Sequence, residues 1–281
     1  MDSPTRNPDF KVGIQYWNDQ PASLDGVLGG FGSGSLPRID ALGSRQFLQR
    51  LLCELCTIPS AIRPLDATPV PRRLRALDIG AGIGRATQTV LLHLFSDIVL
   101  VEPVQKFVET AYQDCLKSTS SIIPPNQWKG ISNKSKSVTF VQESFQTFNP
   151  LASLSEMNCI GRLGYEGDGQ PERTFDVIWC QWCLGHLSDL ELIGFFQRAK
   201  KALRSPSESL IIVKENVCHD LADNTPQVIF DQQDSSLTRS DAAWLRCFNE
   251  SGLTIVCEET QNGFPHGLYT VKMYALRPVQ V

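Results

Sequence analysis

Short apolar runs and helical stripes alternate along most of the chain. Leu74 to Ile79 ends in Gly80-Ala81-Gly82-Ile83-Gly84. Thr87, Val90, Leu91 and Leu94 then recur on one stripe, and a second run from Ile98 to Val101 stops at Glu102. Short runs bounded by turn residues read as buried strands, and the spaced pattern reads as an amphipathic helix. The unit is therefore strand, glycine turn, helix, strand. Further strands are predicted at 138–142, 175–180, 209–213, 253–258 and 269–276, and helices at 39–55, 104–116, 189–203 and 240–251. This alternation predicts an α/β fold, a seven-stranded Rossmann-like sheet with helices on both faces. The last two strands can pair as a hairpin, which makes the last strand antiparallel.

The pattern predicts a disordered tail at 1–13 and a single domain over 14–281. Residues 14–56 form an N-terminal lid and helix, with Phe47, Leu48, Leu51, Leu52 and Leu55 on one helical face. Tyr16-Trp17-Asn18 and the glycine-rich stretch 24–32 suit either a flap over a site or an arm packed by its aromatics. Residues 57–73, with Pro59, Pro64, Pro69 and Pro71, read as a linker. The core, 74–281, carries two polar insertions, 117–137 and 149–173.

Composition narrows the class. The 281 residues are 42% hydrophobic with a net charge of −4, which suits a sizeable core and argues against a phosphate-binding nucleic-acid surface. No apolar run approaches the roughly 20 residues that span a bilayer, and the polar start lacks a secretory signal's apolar core. The expected location is cytoplasmic, with the nucleus as a second compartment. Nine cysteines in such a chain read as free thiols. The pairs Cys53/Cys56 and Cys180/Cys183 lie on a helical pattern and at a strand end, a poor basis for four convergent zinc ligands, so no metal is expected.

The chemistry gathers where strands end. In open α/β sheets ligands bind beyond the carboxyl ends of the strands, and the glycines of the first turn let backbone approach a ligand. Glu102 can accept hydrogen bonds from both hydroxyls of a ribose. After the third strand, Phe145 can pack on an adenine ring and Gln146 can bond its edge. The spacing Asp78-x-Gly80-x-Gly82-x-Gly84 departs from the dinucleotide fingerprint. A carboxylate there would repel a pyrophosphate but can help hold an ammonium group. The fourth strand delivers Gln181, Trp182 and His186 to the same rim, and the fifth delivers Asn216, both donor and acceptor. An indole face suits a cationic ligand, whereas a histidine after a strand is as readily structural. Asp231 and Asp234 stand three apart, as substrate-facing acids or as part of a solvated turn and helix cap.

The glycine spacing resembles motif I of S-adenosylmethionine-dependent methyltransferases. The wider set is similar to the protein α-N-terminal methyltransferase family, a class I group. The motifs are Tyr16-Trp17, Leu24-Asp25-Gly26-x-Leu28-Gly29-Gly30, Asp176-Val177-Ile178-Trp179-x-Gln181-Trp182-x-x-Gly185-His186-Leu187, Lys214-x-Asn216 and Asp234-Ser235-Ser236-x-x-Arg239. The resemblance implies S-adenosyl-L-methionine as cofactor. It implies methylation of the free α-amine of proteins that begin, after Met removal, with X-Pro-Lys or X-Pro-Arg, and neither a nucleic-acid nor a membrane partner. By this resemblance Gly80, Gly82, Arg85, Gln146 and Gln181 hold the cofactor under Trp17. Leu28, Trp182, Asn216, Asp231, Asp234, Ser236 and Tyr269 line a peptide channel with Tyr16 at its mouth. Asp234, His186 and Asn216 form the catalytic set, with His186 and Asp234 facing the amine. The alternatives are a methyltransferase of the same fold acting on a small-molecule amine and a non-catalytic peptide-binding relative.

Overall fold

A computed structural model describes residues 6–55, 72–119, 127–153, 155–167 and 172–280. Its strands are β1 Arg75–Ile79, β2 Asp97–Val101, β3 Ser137–Val141, β4 Cys159–Gly164, β5 Val177–Gln181, β6 Leu210–Cys218, β7 Val228–Asp231, β8 Ser236–Ser240, β9 Leu253–Thr260 and β10 Thr270–Pro278. They form one sheet in the order β4-β3-β2-β1-β5-β6-β10-β9, with β8 on β6 and β7 on β8. The central pairs β3–β2, β2–β1, β1–β5 and β5–β6 are parallel, and β10 runs antiparallel to both β6 and β9. Strands β1, β2, β3 and β5 are buried at every position. Cover on both faces explains why they read as continuous apolar runs rather than alternations.

The helices are α1 Phe10–Asp19, α2 Leu24–Val27, α3 Leu36–Leu51, α4 Leu92–Leu94, α5 Gln105–Lys117, α6 Asp189–Ala202 and α7 Asp241–Glu250. A π-helical turn, Thr87–Leu91, precedes α4. One core packs Phe195, Phe196, Trp244 and Phe248 of α6 and α7 against one sheet face. The other packs Phe47 and Leu48 of α3, with Val108 and Ala111 of α5, against the opposite face. Ser188 starts α6 with a capping box through Glu191, and Ser240 caps α7. Among the described residues no helix is long and apolar enough to cross a membrane.

The structure corrects three expectations. The stretch assigned to a disordered tail contains the start of α1, because the Asp9 side chain accepts from the backbone N–H of Lys11 and Val12. The seven predicted strands are joined by β4, β7 and β8. Strand β4 lies in the insertion 149–173 and extends the sheet antiparallel to β3. In the insertion 117–137, α5 runs to Lys117 and Trp128 and Ile131 are buried against the second core. Residues 230–236, read in part as a turn and helix cap, are a β7–β8 hairpin. Most of the predicted linker, 57–71, lies outside the described residues.

Candidate active site

The strand order reverses between β1 and β5, and the two cavities of the site open there, above the carboxyl ends of the strands. The first, about 860 Å³, is floored by Asp78, Gly80, Ala81 and Gly82, walled by Glu102, Phe145 and Gln181, and roofed by Phe10, Gly13, Ile14 and Trp17 of α1. The turn needs its glycines for different reasons. Gly80 and Gly82 both have positive φ, +63° and +57°. A Cβ on Gly80 would lie 2.3 Å from Cβ of Cys183, whereas one on Gly82 would meet only Val27, at 3.7 Å. Gly80 therefore lets the β5 loop pack closely, and Gly82 presents bare backbone to the cavity.

Two buried carboxylates give the cavity its character. Glu102 accepts from the backbone N–H of Gly82 at 2.7 Å and of Val104 at 2.8 Å, one bond to each oxygen. Burial pushes its carboxyl up to about 7 against the pull of those bonds. Asp78 accepts from the Thr87 hydroxyl at 2.5 Å, and burial raises it to about 6. Buried carboxylates short of donors call for hydroxyl or ammonium groups, and they oppose a pyrophosphate. Arg85 is the cation on this wall. Its guanidinium pairs with Asp40 and lies 5.2 Å from the Trp182 ring. A nucleoside with ribose hydroxyls, an ammonium and a carboxylate fits this donor and acceptor set.

Asp40 centres a polar cluster that the sequence reading missed. It lies fully buried on α3 and pairs with Lys214, also fully buried, at 2.6 Å. It also accepts from Nε2 of Gln181 at 2.8 Å. Lys214 donates further to Ser44 Oγ at 3.0 Å and Gln261 Oε1 at 2.9 Å. Burial works to raise the Asp40 carboxyl, but Arg85 and Lys214 outweigh it and hold it below its usual range. The network fixes Gln181, whose Oε1 accepts from Trp179 Nε1 at 3.2 Å. A signal was present in the sequence, since Leu36, Asp40 and Ser44 recur every four residues on the buried face of α3.

The second cavity, about 1270 Å³ and open to solvent, lies beyond Trp182. It is lined by Leu28, Trp182, His186, Asn216, Asp234, Ser236 and Tyr269, and also by Phe31, Phe264 and Glu215. Trp17, Val27, Trp182 and His186 line both cavities and form their shared wall. Trp182 has a positive φ of +54°, a strained conformation for a bulky residue that aims the indole between the cavities. Among the described residues its buried Nε1 and the buried Oδ1 of Asp234 have no hydrogen-bond partner. A donor and an acceptor thus stand ready for a ligand. Glu215 accepts from the backbone N–H of Cys183 and Leu184 at 2.8 and 2.9 Å, holding the loop that carries Trp182 and His186.

Not every predicted residue lines a cavity. Gln146 turns its Nε2 to the His186 carbonyl at 3.4 Å rather than into the first cavity. Asp231, exposed at the end of β7, accepts from the Gln233 backbone N–H at 2.8 Å. Tyr16 packs edge-on to Trp17. Burial, followed by the charges of Asp234 and Asp231, raises its phenol. His186 Nε2 accepts from Trp17 Nε1 at 2.9 Å, and the Ser235 backbone also hydrogen-bonds to the ring. Burial lowers the imidazole below its usual value, with Asp234 opposing the shift. Cys180 and Cys183 are buried free thiols, and Cys183 Sγ donates to the Ile79 carbonyl. The pair Cys53/Cys56 is not described at side-chain level.

The family model for AdoMet-dependent proline di-methyltransferases matches residues 6–277. Alpha N-terminal protein methyltransferase 1 of Schizosaccharomyces pombe is 34% identical over 269 residues, 96% of this chain and 96% of that protein. N-terminal Xaa-Pro-Lys N-methyltransferase 1 of Danio rerio is 35% identical over 262 residues, 93% of this chain and 92% of that protein. A solved S-adenosylmethionine-dependent methyltransferase of Leishmania major superposes with a TM-score of 0.64 at 31% identity, covering 94% of this chain and 81% of its own. The Burkholderia thailandensis 1,6-didemethyltoxoflavin-N1-methyltransferase, at 15% identity and a TM-score of 0.54, shares the fold. A phosphate-free nucleoside cleft and near full-length likeness lead to one assignment: the chain belongs to the AdoMet-dependent proline di-methyltransferase family, and its cofactor is S-adenosyl-L-methionine.

Proposed function

We propose that the protein methylates the free α-amine of proteins that begin, once Met is removed, with X-Pro-Lys or X-Pro-Arg. The observation that carries this reading is the unpartnered Asp234 Oδ1, buried in the second cavity beside the wall shared with the cofactor cleft. A buried carboxylate oxygen without a donor is matched by an ammonium group. Asn216 and Ser236 line the same cavity and can hold the first residues of an extended peptide. The proline ring has apolar company in Leu28, Phe31 and Phe264. Asp231 and Asp234 favour a basic third residue. A small-molecule amine would leave much of this open channel unfilled.

When bound, S-adenosylmethionine supplies a methyl group on a sulfonium, open to in-line displacement by a neutral amine. The chain's residues bring the amine there and strip its proton. An α-amine has a pKa of about 7.7–8, so roughly a tenth is already neutral at pH 7. Asp234 draws in the ammonium, and its Oδ1 is the acceptor in reach as the proton leaves. His186 acts through position, because its Nε2 lone pair is taken by Trp17 and its depressed pKa makes it a weak base. Alignment supplies most of the rate, and Trp17 of α1 forms part of the shared wall.

Mass spectrometry of a Ser-Pro-Lys peptide incubated with enzyme and S-adenosylmethionine tests the reading. Methyl groups are expected on the α-amine, and none on the N-acetylated peptide. Side-chain methylation of the acetylated peptide, or no transfer to the free one, would refute it.

A further inference from the structure

A third cavity, about 680 Å³, lies between the sheet and the loop after β3. None of its lining residues lines either cavity of the active site. Val99, Thr139 and Arg162 stand in register across β2, β3 and β4. Arg75 opens β1 two residues before Leu77, the partner of Val99. Met157 and the Ser153 stretch close the cavity from the loop side, with Phe175 at its base and Arg173 exposed on its rim.

The charges here do not balance. Arg75 is only 7% exposed, yet its Nη1 has no hydrogen-bond partner among the described residues. The neighbouring acids are already shared, Asp97 also pairing with Arg162 at 3.6 Å. Asp97 takes two bonds from Arg73, at 2.7 and 2.9 Å, and Glu172, the one acid among the described lining residues, is gripped by Arg204 at 2.5 and 2.6 Å. Asp176 pairs with Arg72 and Arg204. Burial pulls the Arg75 guanidinium down to about 10 despite Asp97 and Glu172, and the nearby charges of Arg162 and Arg204 pull the same way. The guanidinium stacks on the Phe175 ring, 4.9 Å from its centroid, but a buried Nη1 without an acceptor is a standing cost to the fold, and an oxyanion would remove it. Arginine's planar fork matches carboxylate and phosphate alike. Beside it, Val99, Met157 and Phe175 offer an apolar wall.

We propose that this cavity binds a small organic anion, its oxyanion head on Arg75, Arg162 and Arg173 and its apolar body against Val99, Met157 and Phe175. The site is independent of the methyl-transfer reading. The test is titration calorimetry on the full chain, with S-adenosylhomocysteine saturating the cofactor cleft so that Arg85 is not the anion's target. The probes are phenyl phosphate, benzoate and inorganic phosphate. At least one aromatic anion should bind at a single site, tighter than inorganic phosphate. Arg75→Met should weaken it by about tenfold or more, the weight of one charge-assisted hydrogen bond. The exposed-rim variant Arg173→Glu should weaken it severalfold without disturbing the fold, and it carries the test if Arg75→Met does not fold. No binding of either aromatic anion at millimolar concentration would overturn the proposal. So would binding undiminished in the folded variants, or inorganic phosphate binding as tightly as phenyl phosphate.

Discussion

Removing the charge of Asp40 gives the sharpest test of how α3 is tied to the active site. Asp40→Asn keeps the shape of the side chain but leaves Lys214 and Arg85 facing an amide. At an effective dielectric near 20, a unit pair at the 2.6 Å of Asp40–Lys214 interacts by about 6 kcal/mol before desolvation. The variant cannot lose all of that, because Lys214 can give up its proton. Burial already pulls its pKa below the usual value, with Asp40 opposing. Neutralising a lysine of unfolded pKa about 10.4 at pH 7 costs about 4–5 kcal/mol, which caps its share. Breaking one side of a buried pair costs a similar amount, about 3–5 kcal/mol. Arg85 escapes more cheaply, since its side chain is 10% exposed.

The sign with pH follows. In the variant the folded Lys214 pKa is depressed, so the penalty is largest at and below neutral pH. It fades as pH rises toward the unfolded lysine pKa, by up to about 1.4 kcal/mol per unit. Urea unfolding of wild type and Asp40→Asn at pH 7 and pH 9 reads both magnitude and slope. A loss below about 1 kcal/mol at pH 7, or one equal at both pH values, would refute the reasoning about the buried pair. Cofactor affinity should fall too, because Arg85 and Gln181 lose their common anchor.

Other predictions follow from the same geometry. Gly80→Val should abolish cofactor binding by displacing Cys183, from which a Cβ would lie 2.3 Å away; calorimetry showing unchanged affinity in a folded variant would rule this out. Glu102 sits near 7 in the folded protein, so its proton leaves as pH rises from 6 to 8. Affinity for S-adenosylhomocysteine should increase over that range and level off above it, by at most about tenfold per unit; a flat profile would remove Glu102 from ribose binding. Asp234→Asn should lower kcat while leaving cofactor affinity nearly unchanged, as calorimetry beside steady-state kinetics will show. His186→Asn should lose a similar factor of kcat at every pH from 6 to 9. Recovery above the amine pKa of about 8 would instead make His186 the base.

What the sequence could reveal depended on how local each signal was. The central parallel strands were legible because burial on both faces turns each into an apolar run. The glycine turn was legible because backbone geometry demands particular residues there. Strand β4 was hidden in a polar insertion, since an edge strand half-buried at every position carries no apolar alternation. The β7–β8 hairpin was obscured because Ser235, at φ +53°, turns the chain where a glycine would have announced it. Most of the second cavity could be named from the family motifs. The bond from Trp17 to His186 could not, as it joins residues 169 apart. That contact occupies His186 Nε2 with the indole N–H of Trp17. Asp40, invisible as a site residue, reaches Arg85, Gln181 and Lys214 only through the packing of α3 on the sheet.

These contacts make α1 part of both halves of the reaction. Phe10, Ile14 and Trp17 roof the first cavity, while Trp17 also walls the second. The helix is pinned at both ends. The Asp9 backbone N–H donates to Ser235 Oγ at 2.7 Å, and Lys106 holds the carbonyls of Asn18 and Gln20. Between the pins it must come close: a Cβ on Gly13 would stand 3.1 Å from His186 Nδ1 and 3.2 Å from the Asp234 carbonyl oxygen. Glycine at this position is what lets the roof settle onto the turn that carries Asp234. The roof over the cofactor cavity and the placement of Asp234 and His186 therefore share one set of packing contacts.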